Sequence, residues 1–123
     1  MFKNILLVSI GGAAGSAFRY ISGMWAAKIF NSNFPYPTFL INMAGCLLIG
    51  FLMGYFGKNG GNEGARLLLI TGFCGGFTTF SAFAAENLKL LQSSNSGVAL
   101  AYTLASILIG VLLVWAGLQI GKI

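Results

Sequence analysis

Four stretches without a charged side chain, Asn4 to Phe18, Ile29 to Gly57, Leu67 to Ala85 and Leu90 to Gly121, take up most of this chain. One helix across a bilayer needs roughly 20 mostly apolar residues, whereas a water-soluble domain of 123 residues would need a far more charged surface than 7%. The runs predict an all-α membrane protein, with four transmembrane helices in a single domain covering residues 1–123. A mean hydropathy of +0.85 agrees. Lys3 ahead of an apolar stretch imitates a secretion signal, but small residues continue past Arg19 to Trp25 and a second apolar run follows, so the first span is expected to be retained.

Helix-breaking residues divide the spans. The first helix is expected from about Lys3 to Phe30, with Asn31 to Pro37 as a turn in which Pro35 and Pro37 stop it. The second covers about Thr38 to Phe56, and Gly57 to Gly64, GKNGGNEG, forms a flexible loop holding Lys58 and Glu63. The third runs from about Ala65 to Leu91, and the fourth follows the Ser93 to Gly97 turn, from about Val98 to Gly121. Gly11 and Gly15 have the spacing that lets a second helix approach closely.

The third span is the anomalous one. Thr71 to Phe83, TGFCGGFTTFSAF, is too apolar for a loop and too polar for an ordinary membrane helix. Gly75 and Gly76 weaken a helix, and the hydroxyls of Thr78, Thr79 and Ser81 compete for backbone groups, so an unwound turn is expected here. Backbone freed at membrane depth must be buried in protein or line a cavity, and such breaks accompany ion and substrate sites. Phe80 and Phe83 lie three apart on the helix that follows, either packing as core or turning positive ring edges toward an anion.

Other polar residues in the spans carry two readings each. Arg19 either snorkels to the interface or faces a water-filled vestibule. Asn42 either bonds a neighbouring helix or donates to an anion. Tyr102 and Ser106, four apart, either form a polar track or bond carbonyls one turn back.

Several functions are poorly supported. There is no histidine, Cys46 and Cys74 lack metal-site spacing and suit apolar packing, and no glycine cluster continues into a phosphate-binding loop. Glu86 is the sole acidic residue within a predicted helix, so paired-carboxylate chemistry is missing and no enzyme is expected. The net charge of +5 comes from seven basic residues scattered mostly at span ends, which anchor the chain to the lipid membrane and offer nucleic acid no patch.

The segment Gly72 to Phe83, with Gly11, Gly12 and Gly15 before Arg19 and with Asn42 to Gly45 (NMAG), closely resembles the Fluc, or CrcB, family of bacterial fluoride channels. The resemblance covers essentially the whole chain, and its GGxTTFSxF stretch is specific. It implies a homodimer of four-helix subunits in antiparallel, dual-topology orientation in the bacterial inner membrane, with two fluoride pathways and a structural sodium ion at the centre. Phe80 and Phe83 match the family's pore phenylalanines and Asn42 its pore asparagine. Gly75 and Thr78 match the positions whose main-chain carbonyls hold sodium. Arg19 matches the vestibule arginine, and Glu86, Tyr102 and Ser106 match pore-lining polar positions. Ala82 and Gly110 depart from the pattern, each standing where a hydroxyl can occur.

The expected function is passive export of fluoride, with Asn42, Ser81, Tyr102 and Ser106 as donors that replace water around a strongly hydrated ion. A small proton-coupled exporter of organic cations is the alternative, requiring Glu86 to exchange protons. A helical assembly subunit without transport is a third reading. Four spans would gather Lys3, Lys58, Arg66 and Lys122 on one side and leave Lys28 and Lys89 nearer the other, a slight bias compatible with either single or dual insertion.

Overall fold

A computed structural model describes residues 1–123. It is helical throughout: α1 (Phe2–Ile29), α2 (Tyr36–Asn59), a third segment Glu63–Gln92, and α6 (Ser96–Gly121), all four long and apolar enough to cross a membrane. The third segment consists of α3 (Glu63–Arg66), a π-helical stretch (Leu67–Cys74), α4 (Gly75–Phe77) and α5 (Phe80–Gln92).

Several boundaries differ from those expected. Pro37 lies within the first turn of α2 and Pro35 caps it, so the helix starts two residues before Thr38; an N-terminal proline gives up no needed donor and its fixed φ suits the helix. At the other end α2 continues past Phe56 to Asn59, where Gly60 turns the chain with φ of 73°. The flexible loop shrinks to Gly60 to Asn62. Glu63, expected in that loop, opens α3, because the Asn62 side chain accepts from the Ala65 N–H at 2.6 Å and nucleates the turn.

Paired small residues dictate the packing. A Cβ at Gly11 or Gly15 would run into the backbone of Leu68, Gly72, Phe73 or Phe77, and one at Gly76 would lie 2.5 Å from the Gly12 carbonyl, so α1 and the third segment touch backbone to backbone. Gly50 and Gly54 of α2 meet the Val114 and Leu118 carbonyls of α6, while Gly117 and Gly121 of α6 meet Leu47, Phe51 and Tyr55. Each pair has the four-residue spacing of close membrane-helix contact. The two resulting helix pairs bury few residues, 18 of 123, and leave rings such as Trp25 and Trp115 exposed. Such a surface requires lipid or a further protein chain around it.

The third segment departs from regular α geometry in two places. Along the π-helical stretch the bonds lengthen by one residue, so that the Gly75 N–H points to the Ile70 carbonyl, a form often found at functional sites. Farther on, Thr78 (φ −85°, ψ 159°) and Thr79 (φ −149°, ψ 113°) are extended between α4 and α5. The expected site of unwinding included Gly75 and Gly76, but both remain helical. Gly76 is small because Gly12 is pressed against it, and the extended conformation falls to the hydroxyl residues instead.

Candidate functional site

The conformation of Thr78 and Thr79 is held from both sides. Asn42 of α2 accepts from the Thr79 N–H at 2.9 Å and donates its amide to the Thr79 carbonyl at 3.2 Å. Thr79 also caps α5, its Oγ1 accepting from the Ala82 N–H at 3.1 Å and lying 3.2 Å from the Ser81 hydroxyl. On the other flank the Thr78 N–H and hydroxyl both donate to the Cys74 carbonyl, at 3.1 and 2.9 Å, and the Arg19 Nε reaches from α1 to the Gly76 carbonyl at 3.0 Å.

These substitutions release two carbonyls. In a continuous helix the Thr79 N–H would bond to Gly75 and the Ala82 N–H to Thr78, but one is donated to Asn42 and the other to the Thr79 hydroxyl. The Gly75 and Thr78 oxygens thus lack helical partners. Around them opens a cavity of about 550 Å³, whose lining includes Asn42, Gly75, Thr78, Phe80, Phe83 and Ser106. Six of the residues expected at a site therefore converge on one space. Ser106 lies half-buried on this wall, whereas Tyr102, four residues before it, is off the wall with its hydroxyl on Glu86.

The phenylalanine rings lie 5.8 Å apart at 43°, with Phe80 78% exposed and Phe83 leaning on Tyr102 at 4.9 Å. Behind them Glu86 is held on both oxygens: Thr38 donates to Oε2 at 2.7 Å and the fully buried Tyr102 donates to Oε1 at 2.8 Å. Ser81 is off the cavity wall, exposed and bonded to Thr79. Arg19 lines a second cavity of about 510 Å³ with Thr38, Thr79 and Ala82, and Thr79 is common to both spaces. Gly110 faces α2, where a Cβ would stand 3.4 Å from the Met43 methyl and 3.5 Å from the Cys46 sulfur, so a side chain there would meet packed groups.

Sequence reasoning missed Thr38 as the partner of Glu86, and missed the bond from the Thr103 hydroxyl to Asn87 at 3.1 Å. No local signal marks either, since both depend on where helices cross. Thr79 could have been found, because a threonine directly before a helical stretch is a capping signal.

The fold and site define a small multi-pass helical membrane protein with released carbonyls, an amide and two aromatic rings around one cavity. A family model described as CrcB-like protein, Camphor Resistance (CrcB), matches residues 6–118, and the chain belongs to the CrcB family. Its curated relatives include the Fluoride-specific ion channel FluC of Flavobacterium psychrophilum, 45% identical over 98% of each chain. The protein of that name from Methylobacillus flagellatus is 46% identical over 97% of this chain and 94% of its own, and the one from Caulobacter sp. is 43% identical over 97% and 94%.

Proposed function

We propose that this protein is a fluoride-selective passive channel that lets cytoplasmic fluoride leave the cell, with no enzymatic step. The observation that carries this reading is the meeting of Phe80, Phe83, Asn42 and Ser106 on one cavity beside the extended Thr78 and Thr79. Ring edges and neutral donors attract an anion without binding it tightly, and conduction needs an ion that can leave again. The near full-length likeness to proteins named fluoride-specific ion channels supports the choice of ion. Arg19, on the second cavity, would attract anions toward the entrance.

The working form is an antiparallel homodimer in the inner membrane, its third helix broken to serve the pathway. Phe80 is 78% exposed and a Cβ on Gly75 would meet nothing within 4 Å, so the open side of the cavity suits a second copy. Gly75 and Thr78 suit a structural sodium ion: their released carbonyls are hard, uncharged oxygens, a donor type fit for a monovalent hard cation. The ion would join two chains through oxygen ligands, while Asn42 and the Thr79 cap keep those carbonyls free. Export driven by proton exchange at Glu86 is disfavoured, because both carboxylate oxygens are already engaged by Thr38 and Tyr102.

Purified protein in liposomes loaded with fluoride tests the reading. A fluoride electrode should record rapid efflux once a potassium ionophore relieves the charge, with chloride-loaded liposomes retaining their ion. Liposomes that retain fluoride equally well would overturn it.

A further inference from the structure

Helix α5 carries both phenylalanines, and its grip on α6 is a short run of contacts. Phe83 leans on Tyr102, Glu86 accepts from Tyr102, and Leu90 packs with Ala99 and Tyr102. One residue beyond Glu86, Asn87 accepts from the Thr103 hydroxyl at 3.1 Å and donates its amide to the Phe83 carbonyl at 3.1 Å. A continuous chain thus runs from the α6 hydroxyl, through the Asn87 amide, to the backbone of the residue whose ring lines the cavity.

We infer that Asn87 and Thr103 are a positioning pair that sets the rotation of α5 against α6, and with it the angle at which Phe83 presents its ring. Resting on the channel reading above, the inference gives a role to two polar residues that do not line the cavity. Successive residues of a helix are turned by about 100°. Glu86 with Tyr102 and Asn87 with Thr103 therefore bond α5 to α6 at two points around its circumference, which fixes its roll more narrowly than one polar anchor would. The amide would be costly in a membrane without such bonds; its bond to Phe83 stays within α5 and fixes the side chain, and its bond to Thr103 then favours one rotation of α5 against α6. A roll of α5 turns Phe83 with it, and Phe83 is the α5 residue that both lines the cavity and leans on α6, through Tyr102.

The test uses the full-length protein in liposomes and four variants, Thr103→Val, Thr103→Ser, Asn87→Leu and the double variant of Thr103→Val with Asn87→Leu. Thr103→Val keeps the shape and removes the hydroxyl, and should lower fluoride flux about three- to tenfold while also lowering the fluoride-to-chloride flux ratio, from one net hydrogen bond of about 1 kcal/mol. Thr103→Ser restores the donor and should return both to near the parent values. Combining Thr103→Val with Asn87→Leu should cost no more than the worse single variant, because the two residues act through one bond. Thr103→Val with unchanged flux and ratio, Thr103→Ser as damaging as Thr103→Val, or fully additive losses would each overturn the pair's role. Lack of flux in the parent protein would instead overturn the channel reading, and this inference with it. Should Thr103→Val not be recovered folded, Thr103→Ala takes its place against the same Thr103→Ser rescue.

Discussion

Asn42 and Thr79 are joined twice, the amide of one accepting from and donating to the backbone of the other, at 2.9 and 3.2 Å. The pairing replaces helical bonds within a membrane-spanning segment, where freed backbone groups must find partners in the protein or line a cavity. It makes Asn42 a structural part of the site as well as a cavity wall. Asn42→Ala should therefore lower thermal stability in detergent, at about 1–3 kcal/mol for each backbone group left unpaired. Asn42→Asp keeps the acceptor for the Thr79 N–H but adds a negative charge to the cavity, so it should melt closer to the parent and still lose most fluoride flux. Equal stability of Asn42→Ala and the parent would show that the double pairing is not needed to hold the chain.

The phenylalanine pair makes a separable prediction. Phe80→Ile and Phe83→Ile should fold and assemble, since an aliphatic group of broadly similar bulk replaces each ring, but they remove the positive ring edge. A contribution of about 1 kcal/mol at each ring corresponds to about a fivefold loss of flux per variant. Because Phe83 leans on Tyr102 and Phe80 is mostly exposed, Phe83→Ile should also lower the melting temperature while Phe80→Ile leaves it nearly unchanged. Liposome flux and melting curves on both variants check the two expectations.

Adjacent glycines separate the fold of one chain from its assembly. Gly76→Ala puts a methyl group against the Gly12 backbone and should destabilise the chain itself, by about 1–3 kcal/mol as overpacking commonly does. A methyl at Gly75 meets nothing within 4 Å in one chain, so Gly75→Ala should be harmless to a monomer. If a second copy covers that face, Gly75→Ala and more so Gly75→Val will weaken association, read as a shift toward monomer in cross-linking or analytical ultracentrifugation. A Gly75→Val protein that associates like the parent would place the second copy elsewhere.

Removal of sodium tests the released carbonyls. Protein prepared throughout in a large organic cation should associate more weakly and pass less fluoride than protein prepared in sodium, and returning sodium should restore both. Thr78→Ser should be mild in either salt, because serine keeps the hydroxyl that bonds the Cys74 carbonyl and leaves the backbone oxygen in place. Identical association and flux in the two preparations would argue against a cation on Gly75 and Thr78.

Much of this protein was legible in its sequence. Long uncharged runs admit few solutions other than membrane helices, so the number of spans followed from desolvation alone. The polar stretch from Thr71 to Phe83 contains the two extended residues, Thr78 and Thr79, and the spacing of Gly11 and Gly15 identified a close contact. What neither showed was the partner. Gly50 with Gly54 and Gly117 with Gly121 carry the same spacing, yet only the crossing of α2 and α6 brings them together. The extended residues proved to be Thr78 and Thr79, with Gly76 held helical against Gly12, because Asn42 lay in reach of one and α1 pressed on the other. Glu86 likewise read as a lone carboxylate until α2 and α6 supplied Thr38 and Tyr102. Burial and backbone preference are properties of a local stretch, whereas a hydrogen bond between residues 48 or 57 positions apart depends on how helices cross, and that is decided only when they pack.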